Sequence, residues 1–181
     1  MSEERTQGVI AEFARHALPV GPLGDYDARM REQQTWEESL SAAGALELIA
    51  WARSPGQLPG WHRLSDGELE ELAPRAATFA GNAGRRLKED RVRTALEDLL
   101  GSPATRSTAI EGLRALGDPR SVAAMAEYAV DQDPSTAYEI AMALEEIGGE
   151  EARALLRRME ERWHDNERVL GAIETSLREL K

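Results

Sequence analysis

Helix-starting and helix-stopping residues recur through the C-terminal half of the chain at nearly fixed intervals, and this punctuation constrains the fold more than any other feature. A polar capping residue followed directly by proline occurs at Ser102-Pro103, Asp118-Pro119 and Asp133-Pro134. The side-chain oxygen of such a cap accepts a backbone N–H left free in the first helical turn, and proline at the next position has no N–H to orphan. Gly101, Gly117 and Gly148 follow apolar-periodic runs, where a left-handed residue closes a helix at least cost when it lacks a Cβ. Together the starts and stops predict helices over 103–116, 119–131, 134–147, 150–163 and 166–180, to within about two residues at each end.

The apolar positions of these helices superpose. In the first helix of a pair, Ala109, Ile110, Leu113, Leu116 and Gly117 fall on Ile140, Ala141, Leu144, Ile147 and Gly148 at an offset of 31 residues. In the second helix, Val92, Ala95, Leu96 and Leu99 fall on Val122, Met125, Ala126 and Ala129, and again on Ala152, Leu155, Leu156 and Met159, at an offset of 30. A lone helix pair cannot bury its apolar stripe, so repeated pairs stack and share a continuous core. Residue usage agrees: the 181 residues are rich in Ala, Leu, Glu and Arg and include only two Phe and three Tyr, a helical palette rather than a sheet one. The expected class is all-α, an α-α superhelix of helix pairs over residues 65–181.

The stretch Leu113-Arg114-Ala115-Leu116-Gly117-Asp118-Pro119-Arg120-Ser121-Val122 resembles the joining segment of bacterial HEAT-like repeats, the type also found in phycobilin lyases. Residues 134–160 resemble a second copy, with Gly149-Glu150 where the family carries Asp-Pro. The resemblance covers residues 103–163 and is weaker over 66–101. It implies a HEAT-like solenoid whose second helices line a concave face. It implies little about function, because such scaffolds serve unrelated uses.

The N-terminal part reads differently. Val9, Ile10, Phe13, Ala14 and Leu18 have helical spacing over residues 3–17, and Pro19-Val20-Gly21-Pro22-Leu23-Gly24 then breaks it. Thr35-Trp36-Glu37-Glu38 and Ser65-Asp66-Gly67-Glu68 each fit a capping box. The first predicts a helix through Trp51 and the second a helix ending near Gly81. Between them lies the loop 54–64 with Trp61, which either folds onto the stack or presents an aromatic side chain to a partner. Residues 1–64 are expected to form an irregular helical cap continuous with the stack.

Charge and motif content narrow the function. A net charge of −11 and a pI near 4.8 disfavour nucleic acid and anionic membranes, whose binding depends on Lys and Arg. The absence of cysteine fits a reducing, cytoplasmic setting. His16, His62 and His164 are isolated from one another, so no helical pair of metal ligands forms, and neither a metal nor a cofactor is expected. Acidic doublets such as Glu145-Glu146 and Glu160-Glu161 point about 100° apart on a helix and read as solvated faces. No nucleophile elbow or phosphate loop occurs, so no catalytic residue is expected.

The candidate site is a partner-binding surface. The offset of 30 places Glu97, Glu127 and Arg157 in one solvent-facing row, flanked by Asp98, Tyr128 and Arg158. Tyr128 either anchors an interface or packs on the neighbouring repeat. Arg93 belongs to a basic cluster with Arg85, Arg86, Lys88 and Arg91, read as a local salt-bridge network or a grip on an acidic group. Arg93, Glu97, Glu127, Tyr128, Arg157, Arg158 and Trp61 are therefore the candidate contacts. The leading expectation is a non-catalytic adaptor, scaffold or inhibitor that binds another protein, with a basic patch on the partner suiting the acidity. The alternative is a lyase-type chaperone for a bilin-like or apolar ligand, implied by the resemblance alone. A repeat-based nucleic-acid glycosylase ranks third because of the charge.

Overall fold

The structure, a computed structural model, describes residues 3–17, 26–56, 58, 64–130 and 133–180. Ten α-helices and no strand occur among the described residues: α1 (Glu3–Ala17), α2 (Tyr26–Ser39), α3 (Ala42–Arg53), α4 (Asp66–Leu87), α5 (Asp90–Glu97), α6 (Arg106–Leu116), α7 (Val122–Ala129), α8 (Pro134–Ile147), α9 (Gly149–Arg162) and α10 (Glu167–Glu179). A 3-10 turn, Pro119–Ser121, leads into α7.

Much of the predicted punctuation does what its chemistry suggests. The Asp133 carboxylate accepts the Ser135 N–H at 3.0 Å and Pro134 opens α8. The Asp118 carboxylate accepts the Arg120 N–H at 3.0 Å at the start of the 3-10 turn. Gly117 closes α6 at φ 63° and Gly148 closes α8 at φ 72°, conformations that cost a residue bearing a Cβ roughly 1 kcal/mol or more. The Ser65–Glu68 capping box is complete, with the Ser65 N–H donating to the Glu68 carboxylate at 2.8 Å and the Ser65 hydroxyl accepting the Glu68 N–H.

Three expectations are corrected. Ser102-Pro103 lies in a turn; α6 starts at Arg106, because the Thr105 hydroxyl donates back to the Leu99 carbonyl at 2.7 Å and holds the chain in a compact link. Thr35 sits inside α2 and donates to the Arg31 carbonyl at 2.8 Å, and Ser41 caps α3 by accepting the Gly44 N–H at 3.1 Å. Gly81 does not end α4, which continues to Leu87 and closes on Lys88 at φ 53°. Gly81 is there for packing: a Cβ on it would lie 2.2 Å from the Gly112 carbonyl oxygen of α6. Gly84 and Gly112 are similarly confined, by Val92 and Leu96 respectively. Glycine lets the two helix backbones touch where any side chain would force them apart.

The helices form two layers. In one, α4 packs on α6, α6 on α8 and α8 on α10; in the other, α3 packs on α5 and α7 on α9. A shared apolar cluster includes Ile10 and Phe13 at one end and Ile173 and Leu180 at the other. At the N-terminal end an aromatic chain joins four helices: Trp36 of α2 meets Phe79 of α4 at 5.3 Å, and Phe13 of α1 meets Phe79 at 6.0 Å and Trp51 of α3 at 5.3 Å. Such tilted pairs add about 0.5–1.5 kcal/mol beyond burial.

Long polar side chains finish the helix ends. The last carbonyls of a helix have no partner within it, and here an arginine from another element supplies one repeatedly. Arg75 donates to the Ala17 carbonyl at 2.6 Å, Arg85 to Leu116 at 3.0 Å and Arg153 to Leu180 at 3.0 Å, while Arg106 donates at 3.1 Å to the Leu100 carbonyl in the turn that follows α5. Arg86 does the same for Leu40. The buried Trp163 indole N–H closes α7 on the Ala129 carbonyl at 2.9 Å. A cationic donor at a helix C-terminus also complements the helix dipole.

Candidate protein-interaction groove

The basic cluster is largely consumed by this architecture. Arg85 and Arg86 close helix ends, Arg91 pairs with Glu89 at 3.0 Å, and Arg93 pairs with Glu97 at 2.8 Å. Arg93 and Glu97 are both half-buried and pair one helical turn apart in α5 through a single terminal guanidinium nitrogen of Arg93, while the buried Arg93 Nε has no hydrogen-bond partner among the described residues.

The next step of the same layer carries another network. The Arg120 guanidinium contacts the Asp118 carboxylate at 2.6 Å and the Asp90 carboxylate at 2.7 Å. These contacts hold the Asp118 carboxyl below the usual range, the Arg120 hydrogen bond contributing most, and raise the Arg120 pKa further. Arg120 thus stays charged with its charge matched. Tyr128 is half-buried, packs against the core and lies under the Arg106 guanidinium, 4.5 Å from ring centroid to Cζ. Glu127 is exposed, and exposed Arg157 pairs with Glu160 at 2.8 Å. Trp61 lies outside the described residues.

Between α7 and α9 the surface changes character. A groove of about 550 Å³ is lined by Pro119, Val122, Ala123, Ala126, Ala154 and Leu155, with Arg120, Glu151 and Arg158 at its edge. Its origin can be read from the repeat. The position occupied by Leu96 in α5 and Leu156 in α9, both fully buried, is Ala126 in α7, which remains half-exposed. A leucine there would fill part of the space; alanine leaves it open. Exposed Ala123 and Ala154 keep the walls low. The Arg158 side chain makes no hydrogen bond or ion pair among the described residues.

Of the six candidate residues that the structure describes, only Arg158 lines this groove. The residues that sequence reasoning passed over are the alanines. The signal was present in the superposed repeat, where Ala126 faces two leucines, but both types read as apolar there and the difference in volume went unused.

Two helix layers in register define an α-helical repeat protein. Within it, residues 93–178, from α5 into α10, match the family model for HEAT repeats. No curated protein and no solved structure matches the chain. Among the described residues no helix is long and apolar enough to cross a membrane, and no group of His, Cys, Asp and Glu is placed to hold a metal.

Proposed function

We propose that the chain is a non-catalytic protein-interaction module whose α7/α9 groove receives a helix from a protein partner, with residues 1–64 capping the open end of the stack. The observation that carries this is Ala126 in a leucine register, which leaves apolar walls beside charged residues instead of a filled inter-helix seam. An apolar groove between parallel helices suits an amphipathic helix laid along it, read through side chains one turn apart. HEAT repeats commonly mediate protein–protein interaction, and here the local charge differs from the overall one. The net charge of −11 suggests a basic partner, whereas two of the three charges at the groove are Arg120 and Arg158. The groove therefore suits a partner surface carrying both signs. An apolar small ligand is the second reading, favoured by a volume within the usual range of ligand pockets, about 300–1,000 Å³.

Site-specific photo-crosslinking tests the proposal. A benzoylphenylalanine at Ala123 in living cells is expected to yield a protein adduct that the same group at exposed Glu174 of α10 does not. No adduct at Ala123, or the same adducts at both positions, would overturn the groove as a protein-binding site.

A further inference from the structure

The groove carries its own description of what fills it. Glu151, Ala154, Leu155 and Arg158 of α9 lie along one wall, spaced three, four and seven residues from the first, and so share one face of the helix. Glu151 and Arg158 are two turns apart, about 10.5 Å along the axis. The point midway between them falls between Ala154 and Leu155, where the side chain reaching the surface is a single methyl group: Ala154 is exposed and Leu155 is buried beneath it. Glu151, like Arg158, has no ion pair or hydrogen bond among the described residues.

This pattern is its own complement under a two-fold axis. If a second α9 runs antiparallel across that midpoint, Glu151 of each copy meets Arg158 of the other, and the small Ala154 side chains sit at the centre, where helices approach most closely. A two-fold contact of this kind needs one patch that matches itself. The negative-to-positive order along α9 also suits the dipole of that helix; what singles out this pair is that both side chains edge one apolar groove and neither has a partner among the described residues. The third charge at the rim, Arg120, is already matched by Asp118 and Asp90.

Resting on the groove reading above, we propose that the occupant of the α7/α9 groove is α9 of a second copy of this chain, giving an antiparallel homodimer closed by two reciprocal Glu151–Arg158 ion pairs. One helix seated in one groove is a small contact beside the roughly 1,200–2,000 Å² of a standard stable interface, and each copy carries a charge of −11. The dimer is accordingly weak, and forms in the micromolar range at a salt concentration that screens the long-range repulsion.

Sedimentation velocity from about 1 to about 200 μM protein at about 0.15 M salt reads the association directly. The mass is expected to move from 20.0 kDa towards twice that value. Glu151→Arg alone and Arg158→Glu alone each place like charges together and are expected to weaken the dimer at least about tenfold. The double variant carrying both changes restores opposite charges across the axis and is expected to recover dimerisation. Both residues are exposed, and an unchanged circular dichroism melt confirms that each variant is folded. A wild-type mass fixed at 20.0 kDa across the range, single reversals without effect, or a double variant no better than the singles would each overturn the proposal. The Ala123 crosslink separates this failure from failure of the groove itself. An adduct with a different protein overturns the homodimer and leaves the groove standing, whereas the absence of any adduct overturns both.

Discussion

Gly81→Ala isolates the backbone contact on which the stacked layers depend. A Cβ at position 81 would stand 2.2 Å from the Gly112 carbonyl oxygen, 2.9 Å from the Leu116 nitrogen and 3.0 Å from the Ala115 Cβ. Ordinary carbon–oxygen contacts lie at about 3.3 Å or more, so α4 and α6 would have to part by roughly 1 Å. The first two obstructing atoms are backbone and cannot rotate aside. Overpacking of this kind costs about 1–3 kcal/mol, and with rigid neighbours the upper end applies, near 3. Replacing glycine by alanine inside a helix returns about 1 kcal/mol, leaving a net loss of about 2 kcal/mol. For a chain of this size that lowers Tm by about 4–8 °C. Gly171→Ala is the paired control, because nothing lies within 4 Å of its added Cβ on α10, and the propensity gain alone is expected to raise Tm by about 2–4 °C. Thermal unfolding followed by far-UV circular dichroism measures both. If Gly81→Ala raises Tm as Gly171→Ala does, the two helices are not in backbone contact and the account of this crossing is refuted.

Other side chains give independent tests. Arg85→Met removes the donor to the Leu116 and Arg114 carbonyls while keeping an apolar stem, and is expected to cost about 1.5–3 kcal/mol in urea unfolding. Burial raises the pKa of the Glu139 carboxyl, with the nearby Glu111 and Asp133 charges adding to the rise and the Ser107 hydrogen bond opposing it. A carboxyl whose folded pKa is raised destabilises the fold when ionised, so Glu139→Gln is expected to raise Tm at pH 7 and to lose that advantage as the pH falls through the carboxylate range. The Thr136 hydroxyl, with the Ser135 and Thr136 backbone groups, holds the Asp133 carboxyl below its ordinary value near 3.8. Its contribution is thus full above that value and lost as the pH falls below it. Asp133→Asn keeps a cap at the start of α8 and is expected to flatten this part of the acid limb of a Tm-against-pH curve.

How far the sequence disclosed the fold depended on whether each signal was local. Asp133-Pro134 and Gly148 mark the two ends of α8, and the structure places that helix at the predicted bounds, because caps act through atoms a few residues away. Gly81 misled for the complementary reason. A glycine that stops a helix and one that admits a neighbouring backbone look alike in sequence, and the Gly112 carbonyl that decides the matter is 31 residues distant. Ser102-Pro103 and Thr35-Trp36-Glu37-Glu38 carried the right residues for caps, but Thr105 and Thr35 spend their hydroxyls on carbonyls behind them. Arg85 and Arg86 read as part of a salt-bridge network or a grip on an acidic group until their carbonyl partners, at the ends of α6 and α2, came into view. At the groove, the repeat offset correctly aligned Leu96, Ala126 and Leu156; only packing shows that the smaller middle residue leaves a space of about 550 Å³ beside it.

Ala126→Leu puts that alignment to the most direct trial. It restores the residue carried at this position in the flanking repeats and fills the groove with apolar volume without adding charge. The account predicts that Tm holds or rises while the adduct formed by a crosslinker at Ala123 disappears. A full yield of adduct from a folded Ala126→Leu protein would contradict the claim that the space left by Ala126 is where this chain binds its partner.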